Sequence, residues 1–453
     1  MLLDITASQT SLTNADVLED WNAMILAFLA HGADAPVHLG NVLKAEPDYP
    51  MALAAKGLFS LMMGRRELYE VAAQANKAAQ KALAQGGAAE REVLWCAALD
   101  DWLKGRPSHA ILRLEEAMRL NPADTLSMKV SHAIRFILGD NHGMLRSIEQ
   151  VIGAHDRDHP LRGYALGCHA FALEETGSYA LAERAGREAL EYAPNDAWGL
   201  HAVAHVYDMT HRPKEGISLI ETNASAWNHC NNFRFHVWWH KALLHLDQGD
   251  HAKVLDLYDA KIRHDKTDDY RDFSNASSLL MRLELDNVDV GDRWGELADL
   301  AESRSDDGCL VFADLHYMLA LSGDNRPGAV ARLTARVARD AQGTEENAKI
   351  MLDPGRAAAE GLAAFGEAQY DTAYRNLAAA RPQFQIMGGS HAQRDVFERV
   401  TIEAALRAGH LKDAETLISE RVALRNGAAD SFGEARMQMI IDARAHGANM
   451  AAQ

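Results

Sequence analysis

Residues 166–194 read LGCHAFALEETGSYALAERAGREALEYAP, and this stretch decides the fold class. Small side chains stand at Ala182 and Ala189, where two helices can approach each other closely. Gly177 separates two segments rich in Ala, Leu and Glu, as a turn between helices requires. Pro194 then stops the second segment. The stretch therefore predicts two antiparallel helices joined by a tight turn.

The same register recurs along the chain. An earlier copy is carried by Leu94, Ala98, Gly105, Ala110, Ala117 and Pro122. The spacing matches the tetratricopeptide repeat, a helix–turn–helix unit of about 34 residues. Further turns are predicted at Gly64, Gly105, Gly139, Gly177, His211, Gly249, Asn287, Gly323, Gly366 and Gly409, which lie 34 to 43 residues apart. We predict an all-α fold, an α-solenoid or tetratricopeptide-like superhelix of about ten antiparallel helix pairs, long enough to curl round an enclosed central pocket.

Composition narrows the partners. The 453 residues hold 46 Lys and Arg against 64 Asp and Glu, a net charge of −18, which argues against nucleic acid and against anionic membranes. No Gly-, Pro- or Ser-rich linker divides the sequence, so residues 1–453 are predicted to form a single domain. Four scattered Cys, no secretory signal pattern and no apolar run of about 18 residues predict a cytoplasmic protein that does not span a membrane.

Two pairs of histidines occur at helical spacing. His201 and His205, then His236 and His240, fall on the predicted first helices of consecutive pairs. An i,i+4 spacing places both rings on one helix face, and neighbouring helices pack about 8–10 Å apart. The four imidazoles could thus converge on a divalent, Zn²⁺-like ion, with Asp208 on the same face as ligand or orienting group. A metal-free ligand pocket and a structural polar network remain open alternatives.

A second candidate cluster is GGSHAQRDVF at residues 388–397. Two glycines before a helix expose backbone N–H groups at its positive end, and Arg394 adds donors that suit a carboxylate or phosphate. The pattern predicts a corner that binds anions. The alternative is a capped helix start with a surface pair between Arg394 and Asp395.

Several longer motifs share a further likeness. They are NDAWGLHAVAH at 195–205, HVWWHKAL at 236–243, FADLH at 312–316, GGSHAQRDVF at 388–397, SH at 131–132 and VGDRW at 290–294. Together they resemble the tetratricopeptide repeat protein 38 family. The resemblance implies the superhelical fold and brings no enzymatic activity with it. The sequence departs from the family pattern at Val237 and His391, where the family has Asn, and this changes the polar contacts expected there.

The motifs and the helical register together define one set of candidate residues. The predicted ligand-binding residues are His132, His201, His205, Asp208, His236, Trp239, His240, His316, Gln393, Arg394 and Asp395. The leading hypothesis is a protein that binds a small polar or anionic ligand, or a peptide, in a His-lined concave pocket. The alternative is a metal-dependent hydrolase that uses the same histidines, with Asp208 or Asp314 as base or ligand. A third is a scaffold that holds a protein in its groove. The sequence leaves open whether the chain is an enzyme.

Overall fold

The structure, a computed structural model, describes the backbone of residues 2–451 and the side chains of residues 2–446. These residues are overwhelmingly helical, which confirms the predicted all-α class. Two short strands, β1 (Leu2–Leu3) and β2 (Gln9–Thr10), pair antiparallel before the first helix. None of the described helices is both long and apolar enough to cross a bilayer.

The helices follow one another with short connections. The first twelve are α1 Ala15–Leu29, α2 Ala35–Ala45, α3 Pro50–Met62, α4 Arg66–Ala84, α5 Glu90–Leu103, α6 Pro107–Leu120, α7 Thr125–Ile137, α8 Asn141–Val151, α9 Arg162–Glu175, α10 Tyr179–Tyr192, α11 Ala197–Met209 and α12 Pro213–Thr222. The next twelve are α13 Phe233–Leu246, α14 His251–Leu257, α15 Tyr270–Leu285, α16 Arg293–Arg304, α17 Val311–Gly323, α18 Pro327–Asp340, α19 Glu346–Ile350, α20 Arg356–Gly366, α21 Tyr370–Ala380, α22 His391–Arg407, α23 Leu411–Leu424 and α24 Ser431–Ala451.

Ten helix pairs run from α3/α4 to α22/α23, one for each of the ten predicted turns. Eight turns have their left-handed residue at the predicted position, namely Gly64, Gly105, Gly139, Gly177, His211, Gly249, Asn287 and Gly409. The turns predicted at Gly323 and Gly366 are also present, but their left-handed residues come two positions later, at Asn325 (φ 51°) and Ala368 (φ 58°). An additional pair, α1/α2, precedes the predicted series. The chain is therefore an α-solenoid built from tetratricopeptide-like helix pairs.

Gly323 and Gly366 allow neighbouring helices to pack closely. Gly323 is the last residue of α17, and a Cβ there would lie 2.5 Å from the Trp294 ring. Gly366 ends α20, where a Cβ would lie 2.7 Å from Cβ of Ser322. A glycine near a helix end can thus allow a close approach between helices instead of a left-handed turn.

The chain divides into two compact units. Among the described residues, unit 1 comprises 2–203, 222–234 and 343–349, and unit 2 comprises 204–221, 235–342 and 350–451. Each unit has its own buried core, with Trp21 and Trp95 in unit 1 and Trp239 and Phe397 in unit 2. The boundary falls inside α11, which is one continuous helix. The single domain and the curled superhelix expected from the sequence remain predictions.

Small residues set the spacing of the unit 1 pair α9/α10, and this can be tested. A Cβ on Gly163 would lie 2.7 Å from the backbone nitrogen of Ala193 and 2.9 Å from the carbonyl oxygen of Ala189. We expect Gly163→Ala to lower the free energy of unfolding by about 1–3 kcal/mol, because backbone atoms would have to move. The control is Gly40→Ala in α2, where the added Cβ would meet no other atom within 4 Å. This variant should raise the free energy of unfolding by about 0.5–1 kcal/mol. Urea unfolding followed by circular dichroism measures both; shifts of the same sign would contradict the packing argument.

Candidate metal and ligand site

Three of the predicted histidines meet inside unit 2. His205 lies on the part of α11 that belongs to this unit, and α13 carries His236 and His240. Each of the three offers a ligand nitrogen, and these atoms lie within 4.8 Å of one another. The ring of His240 is 4.4 Å from that of His205 and 4.6 Å from that of His236, measured between centroids. His201 lies one turn before His205 on α11, on the unit 1 side of the boundary.

A hydrogen bond to α15, the first helix of the following pair, fixes the orientation of His236. Its Nδ1 lies 2.9 Å from Oδ1 of Asn275, which is 1% exposed on α15. An amide oxygen only accepts hydrogen bonds, so Nδ1 of His236 carries the proton and Nε2 presents its lone pair. Metal-bound histidines are commonly held by the same kind of contact on the second ring nitrogen.

The lone pair of His236 faces a second imidazole. Nε2 of His240 lies 3.2 Å from Nε2 of His236. Two nitrogens that bind one tetrahedral zinc ion at about 2.0–2.1 Å would be about 3.3–3.4 Å apart. The observed separation suits shared coordination as well as an N–H···N hydrogen bond.

Burial keeps these rings neutral. Desolvation lowers the pKa of His236 to about 3 and the pKa of His240 well below its ordinary value. The neighbouring imidazoles act in the same direction, because a proton on one ring repels a proton on the next. Neutral imidazole is the form that binds metal ions.

A buried arginine stands beside the cluster. Arg282, on α15, is 1% exposed, and its guanidinium carbon lies 5.6 Å from the centroid of the Trp239 ring. Nη1 donates to the carbonyl of Ser278 at 3.1 Å and Nη2 to that of Ala392 at 2.6 Å. Its buried Nε has no hydrogen-bond partner within the part of the chain that the structure describes. Burial lowers the pKa of Arg282 to about 9, and its charge contributes to the lowered pKa of His240.

The two carboxylates considered as base or ligand have arginine partners. Oδ1 of Asp208 lies 3.5 Å from Nη1 of Arg425, which also donates through Nη2 to the Asp208 carbonyl at 2.6 Å. Asp314 forms a buried ion pair with Arg336, and burial raises the pKa of its carboxyl to about 6. Both acids are thus engaged in structural ion pairs.

His316 and His132 make contacts of their own. His316, on α17, is buried against Phe397, and its Nδ1 lies 2.8 Å from the carbonyl oxygen of Phe312. Desolvation lowers the pKa of His316 to about 3. His132 belongs to α7 of unit 1, where it is buried.

The second candidate cluster, residues 388–397, forms a capped helix start. Ser390 Oγ accepts from the backbone N–H of Gln393 at 3.3 Å, and the Gln393 side chain accepts from the Ser390 N–H at 3.0 Å. Arg394 is buried and donates to the carbonyl of Gly389.

Arg399 and Arg421 bind the carboxylate of Asp395. Its carboxylate lies 2.7 Å from Nε of Arg399 and 2.6 Å from Nε of Arg421. Arg421 reaches it from α23, the helix that follows α22. The pKa of Asp395 is held well below its ordinary value, since the attraction of these arginines outweighs the opposing effect of burial. The carboxylate therefore belongs to a charged network of the unit 2 core.

Two residues of this site were missed by sequence reasoning. Asn275 and Arg282 stand on α15, outside the motifs that drew attention to the histidines. The sequence does contain a run of five small or polar residues, SNASS at 274–278. In the structure, all five are helical and buried. Buried polar side chains need hydrogen-bond partners, so such a run indicates hydrogen bonds inside the protein.

Comparison with known proteins gives distant likenesses in structure. No protein-family model matches the chain. A structure described as the human IFIT1 dimer with m7Gppp-AAAA aligns over 88% of this chain and 90% of the other, at 14% identity and a TM-score of 0.36. A structure of Naa15/Naa10 bound to HypK-THB aligns over 90% of this chain and 64% of the other, at 12% identity and a TM-score of 0.26.

Proposed function

We propose that unit 2 binds a divalent, Zn²⁺-like ion through His205, His236 and His240, and that the ion and Arg282 together hold a small anionic ligand. The observation that carries this proposal is the 3.2 Å separation between Nε2 of His236 and Nε2 of His240. With Nδ1 of His236 bonded to Asn275, its Nε2 lone pair is directed to the point that the other rings share.

The third imidazole favours a metal over a simple polar network. The contact between His236 and His240 uses one nitrogen of each ring, whereas a tetrahedral metal site with three histidine ligands also needs a third ring nitrogen nearby. His205 supplies that third nitrogen. Three histidines with one open position form the ligand set of many zinc sites that bind an exogenous ligand. His201, one turn earlier on α11, belongs to unit 1 and is not part of this proposal.

The positive charge of the site defines the ligand class. A divalent ion and a guanidinium both favour an anion, and the buried Nε of Arg282 retains a donor for an oxygen atom. A hydrolase would use Asp208 or Asp314 as base or metal ligand. Asp208 is paired with Arg425, and Asp314 is paired with Arg336. We therefore propose binding in preference to hydrolysis. Membership of the tetratricopeptide repeat protein 38 family and a cytoplasmic location remain predictions.

Metal content tests the proposal directly. After loading with Zn²⁺ and dialysis, the full chain is expected to retain about one equivalent by inductively coupled plasma mass spectrometry. His236→Ala and His240→Ala should reduce this to background, because each removes a ligand. Asn275→Ala leaves the ligands in place but releases the His236 ring, so the affinity should fall about 10- to 100-fold in a chelator competition.

The controls separate coordination from folding. His109→Ala, an exposed histidine on α6, should keep the wild-type stoichiometry, and circular dichroism should show all variants equally helical. Visible absorption of the Co²⁺-loaded protein reports whether nitrogen ligands surround the ion. Less than a tenth of an equivalent in the loaded wild type, or unchanged content in His236→Ala, would overturn the metal assignment.

A further inference from the structure

Unit 1 buries a lysine that has no carboxylate partner. Lys129, on α7, is 5% exposed, and its Nζ lies 4.3 Å from the centroid of the Trp198 ring. Its hydrogen-bond contact is with Sγ of Cys168 at 3.7 Å, a weak acceptor. Among the residues that the structure describes, this ammonium forms no ion pair with a carboxylate. Buried charges in proteins are normally paired, so an unpaired ammonium indicates a missing anion.

A histidine on the same face of α7 shows the same lack of partners. His132 is 3% exposed, and both of its ring nitrogens are buried without a hydrogen-bond partner among the described residues. The pKa of His132 is well below its ordinary value because of burial, with the charges of Lys129 and Arg135 adding to the effect. A neutral imidazole always carries one N–H, so this ring offers an unused donor. The buried Nε1 of Trp198 is a further donor without an acceptor in the described chain.

The nearby acid does not neutralise this group. Asp196 precedes α11, and its Oδ2 accepts from the backbone N–H of Gly199 at 3.0 Å, as a helix cap does. Burial raises the pKa of Asp196 to about 7, and the charge of Lys129 offsets only part of that rise. One oxygen of the carboxyl is therefore engaged as a cap, and the group is partly protonated at neutral pH.

The surroundings are aromatic. The ring of His132 lies 5.9 Å from Phe171 and 5.8 Å from Trp198, and Phe136 lies 5.6 Å from Phe171, all between centroids. Such a wall accommodates the apolar part of an organic molecule. It also penalises multiply charged anions, because the desolvation cost of an ion in an apolar site rises steeply with its charge.

We propose that Lys129, His132 and Trp198 bind the carboxylate of a small organic acid whose apolar body packs on these aromatic rings. The ammonium supplies the counter-charge, and the imidazole and indole N–H groups supply hydrogen bonds to the carboxylate oxygens. This site belongs to unit 1 and does not depend on the metal proposed for unit 2.

Calorimetric titration of the full chain with benzoate, in the presence of a metal chelator, tests the proposal. Wild type is expected to bind one benzoate per chain, and Lys129→Met should weaken binding by about tenfold or more, since a charge-assisted contact is lost. Trp198→Phe keeps the aromatic wall but removes the indole N–H, and should weaken binding by a few-fold. His236→Ala should bind benzoate like wild type, which separates this site from unit 2.

A matched lysine provides the control. Lys241 is also buried near a tryptophan, 5.3 Å from the Trp238 ring, but its Nζ is paired with Glu221 at 2.6 Å. Lys241→Met should therefore leave benzoate affinity unchanged. Without ligand, Lys129→Met should melt no lower than wild type, because it removes an unpaired buried charge. Benzoate should raise the Tm of wild type and of Lys241→Met but not that of Lys129→Met.

Three outcomes would overturn the proposal. They are an absence of benzoate binding by wild type, an affinity of Lys129→Met within twofold of wild type, and tighter binding of inorganic phosphate than of benzoate. The last would place a phosphate-bearing ligand at the site instead of a carboxylate. Should Lys129→Met fail to fold, the loss of benzoate binding in His132→Phe decides the question, since that variant keeps the charge.

Discussion

Replacing Arg91 with Met is expected to lower the free energy of unfolding of unit 1 by about 3–5 kcal/mol. Arg91, on α5, is 6% exposed and joins two carboxylates whose side chains are fully buried. Its Nη1 lies 2.6 Å from Oδ2 of Asp4, and its Nη2 lies 2.7 Å from Oδ1 of Asp124. The guanidinium thus connects the segment between β1 and β2 to the start of α7, where Asp124 caps the helix.

The loss of stability in Arg91→Met arises from the two carboxylates that remain buried. Without Arg91, Asp4 and Asp124 would be two buried negative charges without a counter-ion, and both would have to be protonated or hydrated. Converting Asp4 to Asn in the same chain removes one of these charges, so Arg91→Met/Asp4→Asn should recover part of the loss.

Urea unfolding followed by circular dichroism measures the Arg91 effect. The control is Arg187→Met in α10, whose partner Glu183 is i,i+4 on an exposed helix face, and it should cost less than about 1 kcal/mol. Hydrogen exchange of the first residues of the chain should rise in Arg91→Met and stay unchanged in Arg187→Met. Equal unfolding curves for the two variants would refute the assignment of a buried ion triad.

The fold followed from the sequence because each turn between paired helices has its own chemical signal. Gly177 and Gly409 supply left-handed residues, and the sequence reports them at the correct positions. The signal fails where glycine has two uses, as at Gly323, whose Cβ position is filled by the Trp294 ring while Asn325 makes the turn. Ala368 has no turn signal at all, so its left-handed backbone could only be seen in the structure.

The candidate site was predictable only in part. The i,i+4 spacing of His236 and His240 fixes their common face through helix geometry alone. Arg282 and Lys129 look like ordinary surface cations in the sequence, because burial is decided by helices that pack from elsewhere in the chain. Asp208 shows the same limit: its arginine partner, Arg425, lies 217 residues away, and no local pattern predicts that pairing.

Replacing Asp430 with Asn should have a comparable effect in unit 2, about 3–5 kcal/mol at pH 7. Asp430 is 1% exposed, and its two oxygens lie 2.7 and 2.6 Å from Nη1 and Nη2 of Arg421. Arg399 adds a contact at 3.2 Å, and the carboxylate also accepts from the backbone N–H of Gly433, so it caps α24. Asparagine keeps the capping oxygen but loses the charge, which leaves two buried guanidinium groups with Asp395 as the one carboxylate that they still share.

The pH dependence of this loss identifies the carboxylate as its source. Despite burial, the charges of Arg421 and Arg399 hold the pKa of Asp430 far below its ordinary value of 3.8. Above about pH 4 the acid is ionised in both the folded and the unfolded chain, so its full stabilisation is present. As the pH falls further, the unfolded chain takes up the proton first, and the stabilisation is progressively lost toward the lower pKa of the folded state. The difference between wild type and Asp430→Asn in urea should therefore be constant from pH 7 to pH 5 and smaller at pH 3; a difference that widens at pH 3 would assign the loss to packing and not to the ion pair.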